Sequence, residues 1–371
     1  MTSPRGVTRR LFDRLRDESV DVDAEFVVAP SSVEEAAEVL DVAAEAGIPT
    51  AFRGGGTHQG YGPSVSADLV ITANRLDSIG DWQPDDLTVV VQAGVPVDVL
   101  EAEIGTRRQT AVLPEGMAGS TVGGTIAVGL SGYRRLRYGP TRDRILQVRM
   151  AAGYGKVVMG GTRVVKSSTG YGLPRLVTGS LGSLGMIGEV TLKLWSRPMS
   201  VATVEVGEAA EALHGIYRPL AVLETSEGSF VYLGGPDDQI SEQSARLGAV
   251  GRSGLIWPDS ITEPVRLEFR VPAALVADAV EWMQRLGSNR WIGQHGIGIV
   301  SGGFEGFDAE GFSVARRWAE SVGGALVVTA GRDGTLDPWG SPPPSIEIQR
   351  RIKDAFDPAH ICNTSILAGG I

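Results

Sequence analysis

The chain has 371 residues and a formal net charge of −10, and an acidic protein repels a phosphate backbone, which argues against a nucleic-acid binder. Its single cysteine, Cys362, excludes an internal disulfide framework and an iron–sulfur cluster held by this chain's own cysteines. Glycine, at 50 residues, occurs in clusters without a fixed period, which indicates special backbone geometry and excludes collagen.

The remaining composition is that of an ordinary globular protein, and its length favours two domains over one. Residues 1–19 lack an apolar core, so we expect no secretory signal there. No apolar run approaches the ~20 residues that a membrane span needs. We therefore expect a cytoplasmic protein without an integral membrane segment.

Short strands and helices alternate through the first half of the chain. EFVVAP (25–30) predicts a strand, and Ser31, Ser32, Glu34 and Glu35 offer capping-box partners for an amphipathic helix that ends at Gly47. IPTAFR predicts a strand that runs directly into the glycine-rich stretch RGGGTHQGYG. The further predicted elements are strands at 68–72 and 87–94, a helix from Pro96 to Ile104 with proline at its first position, a hairpin of 145–153 with 156–161, and a strand at 187–196.

The pattern changes after about Pro198. Strand-like stretches at 229–235, 265–271, 291–302 and 324–331 alternate with helix-like segments near 239–248, 272–286 and 308–322. This alternation predicts a smaller α+β unit with helices on one face of a sheet. A last helix is predicted in SIEIQRRIKDAFDP.

The first glycine cluster, RGGGT (53–57), admits two interpretations. Three successive glycines let several backbone N–H groups converge on one anion, but a glycine-rich turn between strands is the alternative. A Rossmann motif is excluded because its glycines open a helix directly and an acidic residue follows about 20 positions later. The Gly-Lys-Ser/Thr of a Walker motif is also absent.

A second cluster, at 113–145, combines small residues with a basic run. A helix-like start at Ser120 and Thr121 is followed by Gly123 and Gly124, which would allow a phosphate to approach the backbone closely. The basic run forms either a solvated loop or an anion site for cofactor phosphates or a carboxylate substrate, and it contains Arg134, Arg135, Arg137 and Arg142. A third cluster, TGSLGSLGMIGEV (178–190), again precedes a strand.

The ordered occurrence of these motifs resembles the FAD-binding domain (PCMH type) of the vanillyl-alcohol oxidase type of flavoprotein. GGTIAVGLSGYRRLRYGPTRDRIL, VVKSSTGYGLPRLVTGSLGSLGMIGEV and the terminal FDPAHICN are most similar to the FAD-binding subunit of bacterial glycolate oxidase. The resemblance covers residues 26–199 well and 345–371 tolerably, and it is thin between 200 and 340.

The resemblance implies an α+β fold in three parts. Residues 22–199 are expected to form a two-part FAD-binding domain, residues 200–344 a smaller α+β cap or substrate domain, and residues 345–371 a segment that returns to the FAD domain. Some relatives attach the flavin through a histidine directly after the third glycine, where this chain has Thr57. Because His58 lies one place later, the resemblance implies FAD bound without a covalent link.

The cofactor contacts are carried over position by position. The resemblance implies contacts from Arg53, Gly54, Gly55, Gly56, Thr57, His58, Gly116, Met117, Ser120, Thr121, Gly123, Gly124, Ile126, Gly132, Arg142, Asp143, Ile187 and Asn363. The chain departs from the family pattern after Asn363, where Thr364-Ser365 replaces the usual Pro-Gly, and at Ser167 and Gly172.

The resemblance implies an FAD-dependent oxidoreductase that acts on CH–OH groups and oxidises a small 2-hydroxy acid such as glycolate. That chemistry requires a base for the hydroxyl proton, a cation for the carboxylate, and a flavin as hydride acceptor. The candidate base is His295, on a predicted strand, and the candidate carboxylate anchors are Tyr133 and Arg134 with Arg135. The alternative for His295 is a structural histidine whose hydrogen bonds are satisfied within the strand region. The alternative for the anchors is pairing with acidic side chains or with a partner subunit. The four histidines show no metal-ligand spacing, so we expect no metal site.

Two other functions stay open. The chain could be an accessory subunit that binds flavin and carries electrons in a multi-subunit oxidase with partner oxidase and iron–sulfur subunits. It could also oxidise an alcohol or a sugar-like metabolite.

Overall fold

Helix α2 shows how local sequence sets the first layer of the fold. The computed structural model describes residues 4–115, 118–163, 172–306, 308–331 and 337–371. After α1 (Pro4–Arg14) and β1 (Phe26–Val28), helix α2 (Val33–Ala46) begins where the Ser32 side chain accepts from the Glu35 N–H, and it ends at Gly47 with φ 64°. It connects β1 to the parallel partners β2 (Thr50–Arg53) and β3 (Leu69–Thr72), in the sheet order β1-β3-β2. The predicted strand, capping box and glycine terminus are confirmed.

A five-stranded antiparallel sheet forms the second layer. Its order is β4-β5-β9-β7-β8, with β4 (Ile79–Gln83), β5 (Thr88–Gln92), β7 (Ile145–Ala152), β8 (Val157–Gly161) and β9 (Gly185–Lys193). Two short strands, β6 (Gln109–Thr110) and β10 (Trp195–Ser196), pair beside it. The helices of this part are α3 (Val97–Gly105), α4 (Val122–Val128), α5 (Arg135–Tyr138) and α6 (Leu173–Val177). The predicted hairpin is confirmed as β7–β8, whereas Pro96 caps α3 and is not its first residue.

The second half of the chain forms an eight-stranded sheet in the order β14-β11-β13-β12-β16-β17-β15-β18. Its strands are β11 (Ser200–Val206), β12 (Ala221–Thr225), β13 (Gly228–Gly235), β14 (Arg252–Ser253), β15 (Val265–Arg270), β16 (Arg290–Gln294), β17 (Ile299–Phe304) and β18 (Ala325–Ala330), and its helices are α7 (Ala209–Gly215), α8 (Asp237–Arg246), α9 (Val276–Arg285) and α10 (Ala309–Ser321). Together with the first half, this arrangement confirms the predicted α+β class.

The two faces of this sheet have different partners. On β15, Leu267 and Phe269 are buried in a core with side chains of α9 and α10. The alternate residues Arg266, Glu268 and Arg270 point to the opposite face, because successive side chains of a strand alternate. On β12, Val222 likewise packs in the core of α7, while Leu223 lies in a cluster with Tyr133 and Tyr138 of the first half. The face of the sheet opposite α7, α9 and α10 therefore faces the glycine-rich part of the chain.

Residues 291–302, predicted as one strand, form two. β16 ends at Gln294 and β17 begins at Ile299, and the residues between them form a tight turn. The prediction was wrong because an apolar run with interspersed glycines does not show where a hairpin reverses. His295 consequently lies at the start of a turn.

The C-terminal segment packs on the first half of the chain. After α11 (Ile346–Phe356), Cys362 bridges to Thr50, the first residue of β2, and the Asn363 N–H donates to the Thr50 carbonyl at 2.9 Å. The buried Lys353 ammonium donates to the carbonyls of Ser183 and Cys362 and to the Asp357 carboxylate, each at 2.7 Å. Among the described residues, no helix combines the length and apolar character that a membrane crossing requires.

Candidate functional site

Two adjoining cavities are lined by the glycine-rich loops, and the second is also lined by strands of the eight-stranded sheet. The first has a volume of about 320 Å³ and is lined by the first glycine loop, α4 and the third glycine cluster. The second, of about 710 Å³, lies between the second glycine cluster and strands β15, β16 and β17. Thr57, His58, Tyr61, Val128 and Leu181 line both. The two cavities are therefore adjacent and share these residues as a common wall.

The first two glycines of RGGGT allow two loops to pack backbone to backbone. A Cβ on Gly54 would overlap the Thr121 hydroxyl, and a Cβ on Gly55 would overlap the Gly119 carbonyl oxygen. The close approach that these glycines permit is thus to the second glycine cluster. Together the two loops present a wall of backbone to the first cavity, as a phosphate-binding site requires.

A chain of polar side chains connects the two loops. The Ser120 and Thr57 hydroxyl oxygens lie 3.0 Å apart, and the Thr57 hydroxyl lies 2.8 Å from Nδ1 of His58. Thr121 caps α4, its hydroxyl accepting from the Gly124 N–H at 3.2 Å. These contacts hold the His58 ring at the boundary of the two cavities.

His58 has an unsatisfied buried atom. Within the described part of the chain, its Nε2 is buried without a hydrogen-bond partner. Burial lowers the pKa of His58, and the nearby positive charge of Arg266 lowers it further. A buried, unpaired ring nitrogen is costly unless a ligand satisfies it, so Nε2 of His58 is positioned to meet a bound molecule.

Asn363 and Ile187 complete the far wall of the first cavity. The Asn363 side-chain amide donates to the Leu181 carbonyl at 2.6 Å, and its backbone φ is 38°. Asparagine tolerates this left-handed conformation better than most residues. The fold therefore brings together a C-terminal residue and the first and third glycine clusters.

The other predicted cofactor residues divide into four groups. Arg53, Gly56, Gly123 and Gly124 line the first cavity, whereas Gly132 and Arg142 line the second. Ile126 is buried in the core beside the five-stranded sheet, and Asp143 pairs with Arg175 at 3.0 Å without lining either cavity. Gly116 and Met117 lie outside the described residues, as does Ser167, where the chain departs from the family pattern. The cofactor contacts of the predicted positions stay predictions.

The second cavity is rich in arginine. Arg135 and Arg142 come from the second glycine cluster, and Arg266 and Arg270 come from β15. The anionic side chains of its wall, Glu115 and Glu268, are each paired: Glu115 with Arg134, and Glu268 with Arg270 at 2.8 Å. The cavity therefore carries an excess of positive charge.

Tyr61 and Arg270 join the two walls. The Arg270 guanidinium donates to the Tyr61 hydroxyl, and its Nε donates to Glu268. Burial raises the pKa of Tyr61, with a further contribution from the Glu268 charge, so the phenol stays protonated. The hydroxyl accepts from Arg270, and its own hydrogen is left for a partner in the cavities.

The predicted carboxylate anchors differ in placement. Arg134 pairs with Glu115 and also donates to the Thr110 hydroxyl and the Leu113 carbonyl, each at 3.3 Å, and it lines neither cavity. Tyr133 does line the second cavity, packs against Trp257 with 5.4 Å between ring centroids, and has a pKa raised by burial to about 12. The alternative that Arg134 pairs with an acidic side chain describes its observed environment.

His295 lies away from both cavities. Its Nε2 is 2.7 Å from a carboxylate oxygen of Glu224, its backbone N–H donates to Val222, and the ring is buried. The pairing is set by the β16–β17 turn, which places His295 beside β12. Within the described chain, His58 is the one histidine that lines the cavities.

Sequence reasoning missed Tyr61, Arg266, Glu268 and Arg270. A signal for three of them was present, since VRLEFRV alternates charged and apolar residues and thereby places all its charges on one face of a strand. The sequence around Tyr61 gives no comparable signal that its side chain is buried at the cavities. Among the described residues, no group of three or more His, Cys, Asp or Glu side chains is arranged to hold a metal ion.

Comparison with known proteins agrees with this geometry. Residues 24–161 match the family of the FAD binding domain. The chain is 29% identical over 229 residues to glycolate oxidase subunit GlcD of Bacillus subtilis, a match covering 60% of this chain and 48% of that protein. It is 33% identical over 147 residues to glycolate oxidase subunit GlcE of Escherichia coli, covering 38% of this chain and 42% of that protein. The matches thus span less than half the length of both relatives.

A solved alkyldihydroxyacetonephosphate synthase shares the fold, with a TM-score of 0.63 and 16% identity over 92% of this chain and 77% of that one. The backbone-lined first cavity fits the pyrophosphate of a dinucleotide. Together with the family match, this feature assigns FAD as the cofactor of this chain.

Proposed function

We propose that this chain, whose residues 24–161 match the FAD binding domain, is an FAD-dependent oxidoreductase of small 2-hydroxy acids. The observation that carries this proposal is the excess of arginine in the cavity that adjoins the backbone-lined one. A 2-hydroxy acid is an anion at neutral pH, and arginine binds a carboxylate in a bidentate manner.

The first cavity is the proposed cofactor site. The backbone of Gly54, Gly55 and Gly56 would donate to the pyrophosphate, with Arg53 as the nearby cation, and Asn363 and Ile187 would contact the remainder of the molecule. FAD supplies, when bound, an acceptor for the hydride that leaves the substrate carbon.

The second cavity is the proposed substrate site. Arg266 on the strand wall and Arg135 on α5 would hold the substrate carboxylate. The Tyr61 hydroxyl, fixed by Arg270, would donate to a substrate oxygen. Oxidation breaks the C–H bond of the carbon that carries the hydroxyl group and the O–H bond of that group. A protein group must therefore take the hydroxyl proton as the 2-oxo acid forms.

His58 is the proposed acceptor of that proton. Its Nε2 has no partner within the described chain, and the lowered pKa keeps the ring neutral and able to accept a proton at neutral pH. The Thr57 hydroxyl at Nδ1 holds the ring in place. Replacing His58 with Asn is expected to lower the rate of substrate oxidation by roughly 10²-fold to 10⁴-fold. An unchanged rate would assign the proton to another group.

One experiment tests the reaction. The FAD-loaded protein is mixed anaerobically with a panel of 2-hydroxy acids, and the flavin absorbance is followed. Bleaching by a member of the panel supports the proposal. Retention of full absorbance with every 2-hydroxy acid would contradict it, and bleaching by simple alcohols or sugars alone would favour those substrates instead.

A second candidate function follows from the similarity to the glycolate oxidase subunit GlcE. In this alternative the chain works within a multi-subunit oxidase, and electrons pass from its flavin to a partner. The distinguishing measurement is the same assay with candidate partner subunits added. Bleaching only in the presence of a partner would favour the subunit role over an enzyme that acts alone.

A further inference from the structure

The second cavity contains more positive charge than one carboxylate neutralises. Four arginines line it, and one of them, Arg270, is paired with Glu268. The other lining carboxylate, Glu115, is paired with Arg134, which lies outside the cavity. In the described part of the chain, Arg135, Arg142 and Arg266 have no carboxylate within 4.0 Å.

These three guanidinium groups are on two walls. Arg266 lies on β15 and uses one nitrogen to donate to the Ile261 carbonyl at 3.2 Å. Arg135 lies on α5, and Arg142 lies in the short helical turn Thr141–Asp143, where it is exposed. Both belong to the glycine-rich half of the chain. A ligand in the cavity would thus meet one cation from the sheet and two from the opposite side.

The positive charges of the arginines in this cavity repel one another when no anion is bound. Burial lowers the pKa of Arg135, and the positive charge of Arg142 lowers it further. Charged groups that are partly buried without a counter-ion cost free energy, and binding of anions offsets that cost. The arrangement therefore favours ligands that bring more than one negative charge.

We propose that the substrate is a 2-hydroxy acid that carries a second anionic group, either a carboxylate or a phosphate monoester. The 2-hydroxy carboxylate is held by Arg266 with Arg135, and the second anionic group by Arg142 at the exposed end of the cavity. This inference rests on the proposed function for the identity of the reacting group. The second anionic group takes no part in bond breaking.

The first arm of the test compares three 2-hydroxy acids with the FAD-loaded protein under anaerobic conditions. D-lactate has one anionic group, D-2-hydroxyglutarate adds a carboxylate, and 3-phospho-D-glycerate adds a phosphate. We expect KM for flavin bleaching to be at least about tenfold lower for one of the two dianions than for lactate, which corresponds to one added charge contact. Equal KM values for all three would overturn the inference while leaving the proposed function intact.

The second arm measures binding without turnover. Propionate and glutarate lack the hydroxyl group, and their affinities are obtained from the shift in the flavin spectrum or in Tm. Glutarate is expected to bind at least about tenfold more tightly than propionate. Because no oxidation is involved, this arm still tests the inference if no hydroxy acid bleaches the flavin. Equal affinity for propionate and glutarate would contradict it.

Variants assign the second anionic group to Arg142. Replacing Arg142 with Gln is expected to raise KM for the preferred dianion at least about tenfold more than it raises KM for lactate, and so to remove most of the preference. The matched control is Arg285→Gln, which alters an exposed pair with Glu281 on α9 far from the cavities. Loss of the preference in R142Q but not in R285Q supports the assignment. A preference that survives in R142Q, or disappears in R285Q as well, would overturn it.

Discussion

The Arg270 guanidinium donates a hydrogen bond to the Tyr61 hydroxyl across 209 positions of sequence. Tyr61 follows the first glycine loop and lines both cavities, and Arg270 is the last residue of β15. The contact therefore joins the cofactor loop to the sheet that forms the substrate wall. It also directs the phenol hydrogen away from Arg270, because the hydroxyl oxygen is the acceptor in this bond.

Replacing Tyr61 with Phe removes this connection and leaves the aromatic ring in place. We expect the free energy of unfolding to fall by about 1 kcal/mol, since a hydrogen bond to a charged, half-exposed group is lost. Urea unfolding measures the change. Tyr217→Phe, at an exposed tyrosine, is the matched control and should have no measurable effect. Equal stability of the two variants would contradict the prediction.

Gly55 is predicted to be essential for the cofactor site. In Gly55→Ala the new methyl group would overlap the Gly119 carbonyl oxygen, so the two glycine loops must separate. We expect the purified variant to hold less than about a tenth of the FAD of the parent protein, because weakened binding lets the cofactor dissociate during purification. The ratio of flavin to protein absorbance measures this.

The control for this prediction is Gly207→Ala, because a Cβ at Gly207 meets nothing within 4 Å. That variant is expected to keep its full FAD content. Full FAD content in Gly55→Ala as well would show that the loops tolerate separation.

The buried His58 predicts a specific pH dependence of stability. Because burial lowers its pKa in the folded protein, the unfolded chain binds a proton below about pH 6.5 that the folded chain does not. The free energy of unfolding therefore decreases as pH falls below that value and is regained as pH rises. His58→Asn should reduce this slope in the apoprotein. His214→Asn, at an exposed histidine, should not; equal slopes in both variants would refute the prediction.

The buried ammonium of Lys353 is expected to stabilise the C-terminal segment. Lys353→Met leaves the Asp357 carboxylate buried without its cation, and breaking such a pair costs about 3–5 kcal/mol. Thermal unfolding measures the effect. The same substitution at the exposed Lys156 should change stability by less than about 0.5 kcal/mol. A Tm for Lys353→Met that matches the Lys156→Met control would contradict this account.

FAD is predicted to be held without a covalent bond, since Thr57 occupies the attachment position of relatives that carry a histidine there. Acid precipitation of the FAD-loaded protein should leave a colourless pellet and a yellow supernatant. Yellow colour that stays in the washed pellet would show a covalent link, and His58 would then be the residue to replace.

Local chemistry made much of the fold predictable. The Ser32 and Glu35 cap, the Gly47 terminus and the β7–β8 hairpin all depend on residues close together in sequence. The predicted strand over residues 291–302 was wrong because the turn after Gln294 interrupts an otherwise continuous apolar pattern. A hairpin reversal within such a run depends on which strands pair, and local periodicity does not encode that pairing.

The candidate site was predictable to a similar degree. The order of the three glycine clusters led to the FAD domain, whose match covers residues 24–161. The predicted base was assigned to His295, which pairs with Glu224 of β12 and lines neither cavity. No feature near either residue in the sequence indicates this pairing.

The sequence by itself indicated the glycine loops, because they rest on short-range spacing and backbone requirements, and the resemblance carried by their order implied the FAD domain and its α+β class. Only the tertiary structure decided which charges meet. Arg135, Arg142 and Arg266 share one cavity, while Arg134 is turned inward to Glu115. The physical reason is that β15 and the second glycine cluster are brought together by the packing of two sheets, and the partners of a side chain depend on that packing rather than on its neighbours in the chain.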